Sequence, residues 1–297
     1  MGYIWQSSDF GATWTAGASS QDVISWNSIS GNADGSIAIA SGTRAPLAPG
    51  SSARHFIARV ATASGAVTDV TIPQPFASMA ASDDAHVLLA VEKGGELATD
   101  LRLWRSMDGG ASWASVGASG TWAAAAMSQT GDVMAAVQQG TWTENAGGST
   151  NSGGGIWLST DYGLSWTQVS GLPEPFAAIA VSSSGQHMLA ASHMIAADDR
   201  NRGRVYISKD GGVNWVKVLE AAYANGGGDW TSVTMSNDGQ LWAATHETWL
   251  GGSTGRVTTR IDVCSGDNCE VAINWQPKSV LSDLPPGSTY QGIISSG

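Results

Sequence analysis

The chain has 297 residues, of which only 13% are charged, and carries a formal net charge of −11 at pH 7. That length holds one large all-β domain with an ample core. The acidic balance disfavours nucleic acid and an anionic membrane as partners, since both need a basic face, and neither a membrane-spanning run nor a signal peptide is expected from the sequence.

The first predicted element is a hairpin from Tyr3 to Ala16, turning through Ser7-Ser8-Asp9-Phe10-Gly11-Ala12-Thr13-Trp14. The same pattern, Ser-x-Asp-x-Gly-x-x-Trp, returns three times. It is fixed at Ser106, Asp108, Gly110 and Trp113; at Ser159, Asp161, Gly163 and Trp166; and at Ser208, Asp210, Gly212 and Trp215. Such a repeat sets the fold. The Asp supplies an acceptor for turn N–H groups and the Gly tolerates φ > 0. The Ser hydroxyl caps the turn, and the Trp is expected in the core, covering it. Trp5, Trp104, Trp157 and Tyr206 each lie nine residues before those Trp residues, which puts an aromatic on both arms of every hairpin. These box positions are assigned a structural role, their carboxylates included.

Downstream of each hairpin comes an aromatic: Trp26, Phe76, Trp122, Phe176, Trp230 and Tyr290, at intervals of 46 to 60 residues. Each of the first five is followed by a small-and-apolar run, a Ser/Asp/Gly turn and a second apolar run such as Ile37–Ala40, Val87–Ala90 or Val133–Ala136. Runs of this kind suit strands buried on both faces. Two hairpins lack the box but keep its place, from His55 to Thr71 and from Val257 to Trp275. Four strands per unit at this period predict a six-bladed β-propeller with antiparallel four-stranded blades, one domain over residues 1–297. The last blade is expected to close by joining the strand at Tyr290 to the N-terminal hairpin. That blade lacks a second strand before Gly297, so the expectation is a segment or processed form of a longer protein, with the gap open to a larger assembly.

The eight-residue pattern resembles the Asp-box, or BNR repeat, of sialidase-like β-propellers. That repeat occurs in sialidases, xyloglucan-cleaving glycosidases, sortilin-type receptors and a photosystem II assembly factor, so the resemblance implies a fold and not an activity. A sialidase would carry an Arg-Ile-Pro motif near its start. None occurs here, no arginine precedes Arg44, and no sialidase residue is carried over.

Function is expected on the connections between second and third strands, which are long and varied where the opposite turns are short and uniform. They run from Ser41 to Arg54, Glu92 to Asp100, Gln138 to Gly155, His193 to Arg204 and His246 to Arg256. Trp142 and Trp249 fill no repeat position and are candidate sugar-stacking platforms or protein hot spots. Glu144 and Asn145 adjoin the first; His246 and Glu247 precede the second. His193, Asp198, Arg200 and Arg202 complete the candidate set. A glycosidase would need two convergent carboxylates, for which Glu92, Asp100, Glu144, Asp198, Asp199 and Glu247 are available and no spacing selects a pair. No metal or cofactor motif is present; Gly147 to Gly155 reads as a flexible Gly/Ser stretch.

Cys264 and Cys269 flank the turn of a hairpin without the box. Paired, they would replace the missing turn network covalently and favour a secreted or other extracytoplasmic location; unpaired, they would be two thiols of a cytosolic protein. The expected function is an extracytoplasmic recognition module for a glycan or a partner protein. The alternatives are a glycoside hydrolase of the same fold and a structural module.

Overall fold

The computed structural model describes residues 3–7, 9, 12–19, 23–32, 34–48, 50–64, 66–72, 74–94, 99–145, 148–193, 203–220, 228–250, 256–266, 268–270 and 274–278. Side chains are not described at residues 3, 6, 17–19, 23–24, 141–145, 148–152, 228–229, 246–250, 256–260 and 276–278.

The described residues form five four-stranded antiparallel sheets, each a simple meander, and two separate hairpins. The N-terminal hairpin pairs β1 (Tyr3–Gln6) with β2 (Thr15–Ser19). The first sheet holds β3 (Val23–Gly31), β4 (Ile37–Arg44), β5 (Arg54–Ala61) and β6 (Ala66–Ile72). The second holds β7 (Phe76–Ala81), β8 (Leu88–Glu92), β9 (Leu101–Ser106) and β10 (Ala114–Gly120). The third takes β11 (Trp122–Met127) and β12 (Met134–Gln138), then a second hairpin, β13 (Thr141–Asn145) with β14 (Gly148–Ser152), before β15 (Gly155–Ser159) and β16 (Thr167–Gln168). The fourth is β17 (Phe176–Val181), β18 (Met188–Ser192), β19 (Arg204–Ser208) and β20 (Val216–Glu220). The fifth is β21 (Gly228–Met235), β22 (Leu241–Leu250), β23 (Arg256–Ser265) and β24 (Gln276–Lys278). The segment from Tyr290, on which closure of a sixth blade depends, lies outside the described residues.

Small residues dominate the first strand of each sheet, and these strands lie side by side: β3 by β7, β7 by β11, β11 by β17, β17 by β21. Their turns are tied by main-chain bonds. The Asp83 amide donates to the Gln129 carbonyl at 2.8 Å, Gln129 to Ser183 at 2.9 Å, and Ser183 to Asn237 at 2.9 Å. The apolar second strands are buried along most of β8, β12 and β18, and β18 is buried at all five residues. Core clusters fill the spaces between successive sheets: Phe76, Leu88 and Ile39 between the first two, Trp122, Leu89 and Leu103 between the next, Trp242, Val205 and Trp230 between the last. Each large side chain so buried contributes roughly 1.5–3 kcal/mol. The turns between first and second strands pack so closely that a Cβ on Gly185 (φ +73) would come within 2.8 Å of Val133 in the preceding sheet.

The eight-residue repeat closes the hairpin between third and fourth strands. At Ser159 to Trp166, the Ser159 hydroxyl donates to Asp161 Oδ1 (2.7 Å) and accepts from the Gly163 amide (2.8 Å). Asp161 also accepts from the Ser165 amide (2.9 Å) and hydroxyl (2.6 Å), and Trp166 Nε1 donates to the Gly163 carbonyl (3.1 Å). The same bonds recur at Asp108 and Asp210. The side chain and then the amide of Thr13, Ser112 and Ser165 hold the carboxyls of Asp9, Asp108 and Asp161 at about 2. The Asn214 amide and side chain lower Asp210 in the same way. The repeat Trp residues are less buried than expected. Trp113, Trp166 and Trp215 are partly buried, each with its indole N–H bonded to a carbonyl of its own turn, and Trp14 is 59% exposed. Tyr162 stands in the repeat at φ +59, where Gly109 and Gly211 occupy the same place in other copies.

Where the last hairpin lacks the repeat, Cys264 and Cys269 are joined by a disulfide. Both are buried beside Trp242, and Trp275 Nε1 donates to the Cys269 carbonyl at 2.9 Å.

Candidate functional site

In each meander the second strand passes to the third at the end of the sheet opposite the hydrogen-bonded turn between first and second strands. Two of the stretches expected to be irregular are instead paired strands. Trp142, Glu144 and Asn145 lie on β13, opposite Asn151, Ser149 and Gly148 of β14, so the Gly/Ser stretch expected to be flexible is partly a strand. His246, Glu247 and Trp249 extend β22, with Arg260, Thr259 and Val257 of β23 as partners. Thr and Trp favour extended backbone, and continuous ladders satisfy its polar groups. The side chains of these six residues, and Asp198, Asp199, Arg200 and Arg202 entirely, lie outside the described residues. His193 is half-buried, and its amide donates to the Pro175 carbonyl at 2.7 Å. Of the other carboxylates considered, Glu92 accepts from the Arg102 amide (3.1 Å) and Asp100 is exposed.

The most constrained polar cluster at this end of the sheets centres on a residue outside the expected set, Glu174. It lies in Leu172-Pro173-Glu174-Pro175-Phe176, which leads into β17. Pro175 biases Glu174 to extended backbone, and Phe176, fully buried, anchors the segment. Glu174 is only 9% exposed. Its Oε1 accepts from Arg204 Nη1 at 2.7 Å and from Tyr206 Oη at 2.6 Å. Arg204 heads β19, its Nε donating to Glu220 Oε1 on β20 at 3.3 Å and its amide to Ser192 Oγ at 2.9 Å. Lys217 approaches the other Glu220 oxygen at 3.6 Å. Beneath the cluster, Trp230 Nε1 donates to the Gly203 carbonyl at 3.1 Å.

Gly154 closes the cluster from the third sheet. A Cβ there, at φ +93, would stand 2.2 Å from the Glu174 carbonyl oxygen, so only glycine lets the end of the 138–155 connection lie against this segment. Burial opposes the charge on Arg204, but the hydrogen bond and attraction of Glu174 outweigh it and raise its pKa. Burial and then the bond to Glu174 raise the Tyr206 phenol, so it stays protonated as a donor. Glu174 Oε2 is buried with no hydrogen-bond partner among the described residues. Nor do the described residues hold any group of three or more His, Cys, Asp or Glu able to bind a metal.

A sequence signal for Glu174 exists. The second sheet opens with Pro73-Gln74-Pro75-Phe76, the fourth with Pro173-Glu174-Pro175-Phe176. Pro75 accepts from the Lys93 amide as Pro175 does from His193, both at 2.7 Å, yet Gln74 is exposed. A buried charged residue standing where a repeat carries an exposed neutral one marks the exceptional position.

No family model matches the chain, and no curated protein matches it. Solved structures do. The GH74 xyloglucanase of Xanthomonas campestris superposes over 94% of this chain and 42% of its own, with a TM-score of 0.61 and 17% identity. The GH74 enzyme of Niastella koreensis superposes over 85% and 38%, with a TM-score of 0.58 and 13% identity. Kuenenia stuttgartiensis hydrazine synthase superposes over 93% and 68%, with a TM-score of 0.58 and 13% identity. The chain thus spans about two-fifths of the two GH74 enzymes. At these identities the likeness speaks for the fold alone: an all-β chain of the β-propeller class, built of antiparallel four-stranded sheets.

Proposed function

We propose that the chain is a six-bladed Asp-box β-propeller, one domain over residues 1–297, that acts outside the cytoplasm as a recognition module for a glycan. In this reading the hairpin β1–β2 supplies the outer strands of the sixth blade and the segment from Tyr290 its inner strand. The observation that carries the reading is the inequality of the two faces. One is made of short turns locked by the same hydrogen bonds in every sheet. The other bears two projecting hairpins, β13–β14 and the long ends of β22–β23, whose sequences hold Trp142 and Trp249. A rigid scaffold with diversified connections on one face is the usual arrangement for binding, and aromatic groups beside amides and carboxylates suit sugars. The Cys264–Cys269 disulfide supports an oxidising compartment.

A glycan array that includes xyloglucan fragments, with mass spectrometry of every hit, tests the proposal. Binding without cleavage is expected, weakened at least tenfold by Trp142→Ala or Trp249→Ala with the melting temperature unchanged. Cleavage would replace the proposal with a glycoside hydrolase. A silent array would replace it with a protein-binding or structural module.

A further inference from the structure

We infer that the hairpin β1–β2 takes a second strand from another protein, an apolar segment that lies along β1 and buries two side chains in a cavity beside the first sheet. The inference rests on the reading of β1–β2 as the outer strands of a sixth blade and names the partner of that blade.

The cavity measures about 310 Å³, and Ile4, Trp5, Trp26, Asn27, Ile29 and Ala40 are among the residues that line it. Among the described residues β1 and β2 form a two-stranded sheet. Their turn carries the bonds of the other repeats. The Ser7 hydroxyl donates to Asp9 Oδ1 at 2.7 Å, and the Thr13 amide donates to the same oxygen at 2.8 Å. β1 therefore stands where β9, β15 and β19 stand. Ile4 precedes Ser7 by three residues, as Leu103, Ile156 and Val205 precede Ser106, Ser159 and Ser208. Those three are fully buried, whereas Ile4 is only partly so. The wall on β3 differs in the same way. Ile29, the third residue after its sheet's first aromatic, is 37% exposed, while Met79, Ala125, Ile179 and Val233 at that place are all buried.

The covering of those residues elsewhere defines the guest. Ala125 is buried with Leu89 and Val91, Ile179 with Ala135 and Val137, and Val233 with Leu189 and Ala191. Each pair belongs to the second strand of the preceding sheet. The ladders fix the register. Leu103, Ile156 and Val205 pair with Val91, Val137 and Ala191; Trp104, Trp157 and Tyr206, at the place of Trp5, pair with Ala90, Ala136 and Ala190. The strand that fits therefore reads Leu or Met, then Leu or Ala, then Ala opposite Trp5, then Val or Ala opposite Ile4. Its second and fourth side chains enter the cavity, and main-chain bonds to β1 add to their burial. β8, β12 and β18, which carry this pattern, are held in their own sheets. The segment from Tyr290 has the sequence of a first strand, with Ile293 and Ser296 spaced as Ile179 and Ser182 are after Phe176.

The probe is a synthetic peptide with the β12 sequence Asp132–Gln139, titrated into the full chain by calorimetry, with hydrogen exchange read at residues 4–6. A second peptide carries Val137→Asp, which places a carboxylate in the cavity. In the chain, Ile29→Ser alters the cavity wall at an exposed position. Saturable binding of the first peptide and slower exchange at residues 4–6 are expected. The dissociation constant should rise roughly tenfold or more with the Val137→Asp peptide and in Ile29→Ser. No saturable binding, or equal binding of the two peptides, would overturn the guest strand. Exchange at residues 4–6 of the chain alone as slow as in β9 would also overturn it and assign the place to the chain's own residues. A dimer of the chain alone that the peptide dissociates would overturn a foreign partner in favour of a second copy. Ile4→Asp separates these failures from that of the sixth blade, because Ile4 packs on Phe56, Ala58 and Val60 of the first sheet. The melting temperature of Ile4→Asp should fall. If it stays at the wild-type value, β1–β2 does not belong to a blade packed on the first sheet, and the guest strand falls with that reading.

Discussion

The four repeat Trp residues share one motif but not one environment, and truncating two of them measures the difference. An indole adds about 200 Å² of surface beyond the alanine stub. With roughly three-quarters of that out of water at Trp166, truncation forfeits about 4 kcal/mol at 25 cal/mol/Å², or about 3 once burial in the unfolded chain is discounted. The Nε1 bond to the Gly163 carbonyl adds about 1 kcal/mol. Trp14 is 59% exposed, and the same reckoning gives Trp14→Ala about 1.5 kcal/mol. An unfolding entropy of about 2.1 cal/mol/K per residue turns these into falls of roughly 6 °C for Trp166→Ala and 2 °C for Trp14→Ala. Calorimetry of the two variants beside wild type reads the gap directly. Equal falls would mean that the first hairpin is packed as tightly as the third-sheet hairpin, and the burial argument would fail.

Tyr162→Gly should stabilise the chain by about 1 kcal/mol, because a non-glycine residue at positive φ is strained and Gly109 and Gly211 stand at that place in other copies; a lower melting temperature would refute this. Acid should unfold the chain through its turns. The carboxyls of Asp9, Asp108 and Asp161 sit at about 2 when folded, below the ordinary 3.8. Their stabilisation is therefore complete above the unfolded value and lost as pH falls from about 4 towards 2. Thermal melts from pH 5 to pH 2 should show this loss, smaller in Asp161→Asn, and a flat profile would count against it. Cys264→Ser with Cys269→Ser should cost about 2 kcal/mol, the loop-closure value for so short a span, and a urea midpoint equal to wild type would show that the buried packing of this turn suffices alone.

The frame was legible because its signals are short-range and repeated. Ser159, Asp161, Gly163 and Trp166 bond to one another within eight residues, so their spacing alone gives the turn. The same holds for Cys264 and Cys269. Glu174 was not legible in that way. Its partners Arg204 and Tyr206 lie 30 and 32 residues on, and its burial follows from the approach of Gly154 on another sheet. Trp142 and Trp249 stood out as aromatic residues off the repeat, but that they lie on paired strands depended on partners whose Gly/Ser and Thr content reads as loop.

The bonds that join Asp83, Gln129, Ser183 and Asn237 involve main-chain atoms only. Register between neighbouring sheets is therefore set by groups that every residue carries, on the face away from the long connections. Wholesale exchange of the β13–β14 hairpin for a foreign one then alters no bond of that series. The chain is in this sense a modular display platform: a library of hairpins grafted at residues 139–154 should inherit the wild-type register between sheets, provided each graft ends in the glycine that lies against Glu174.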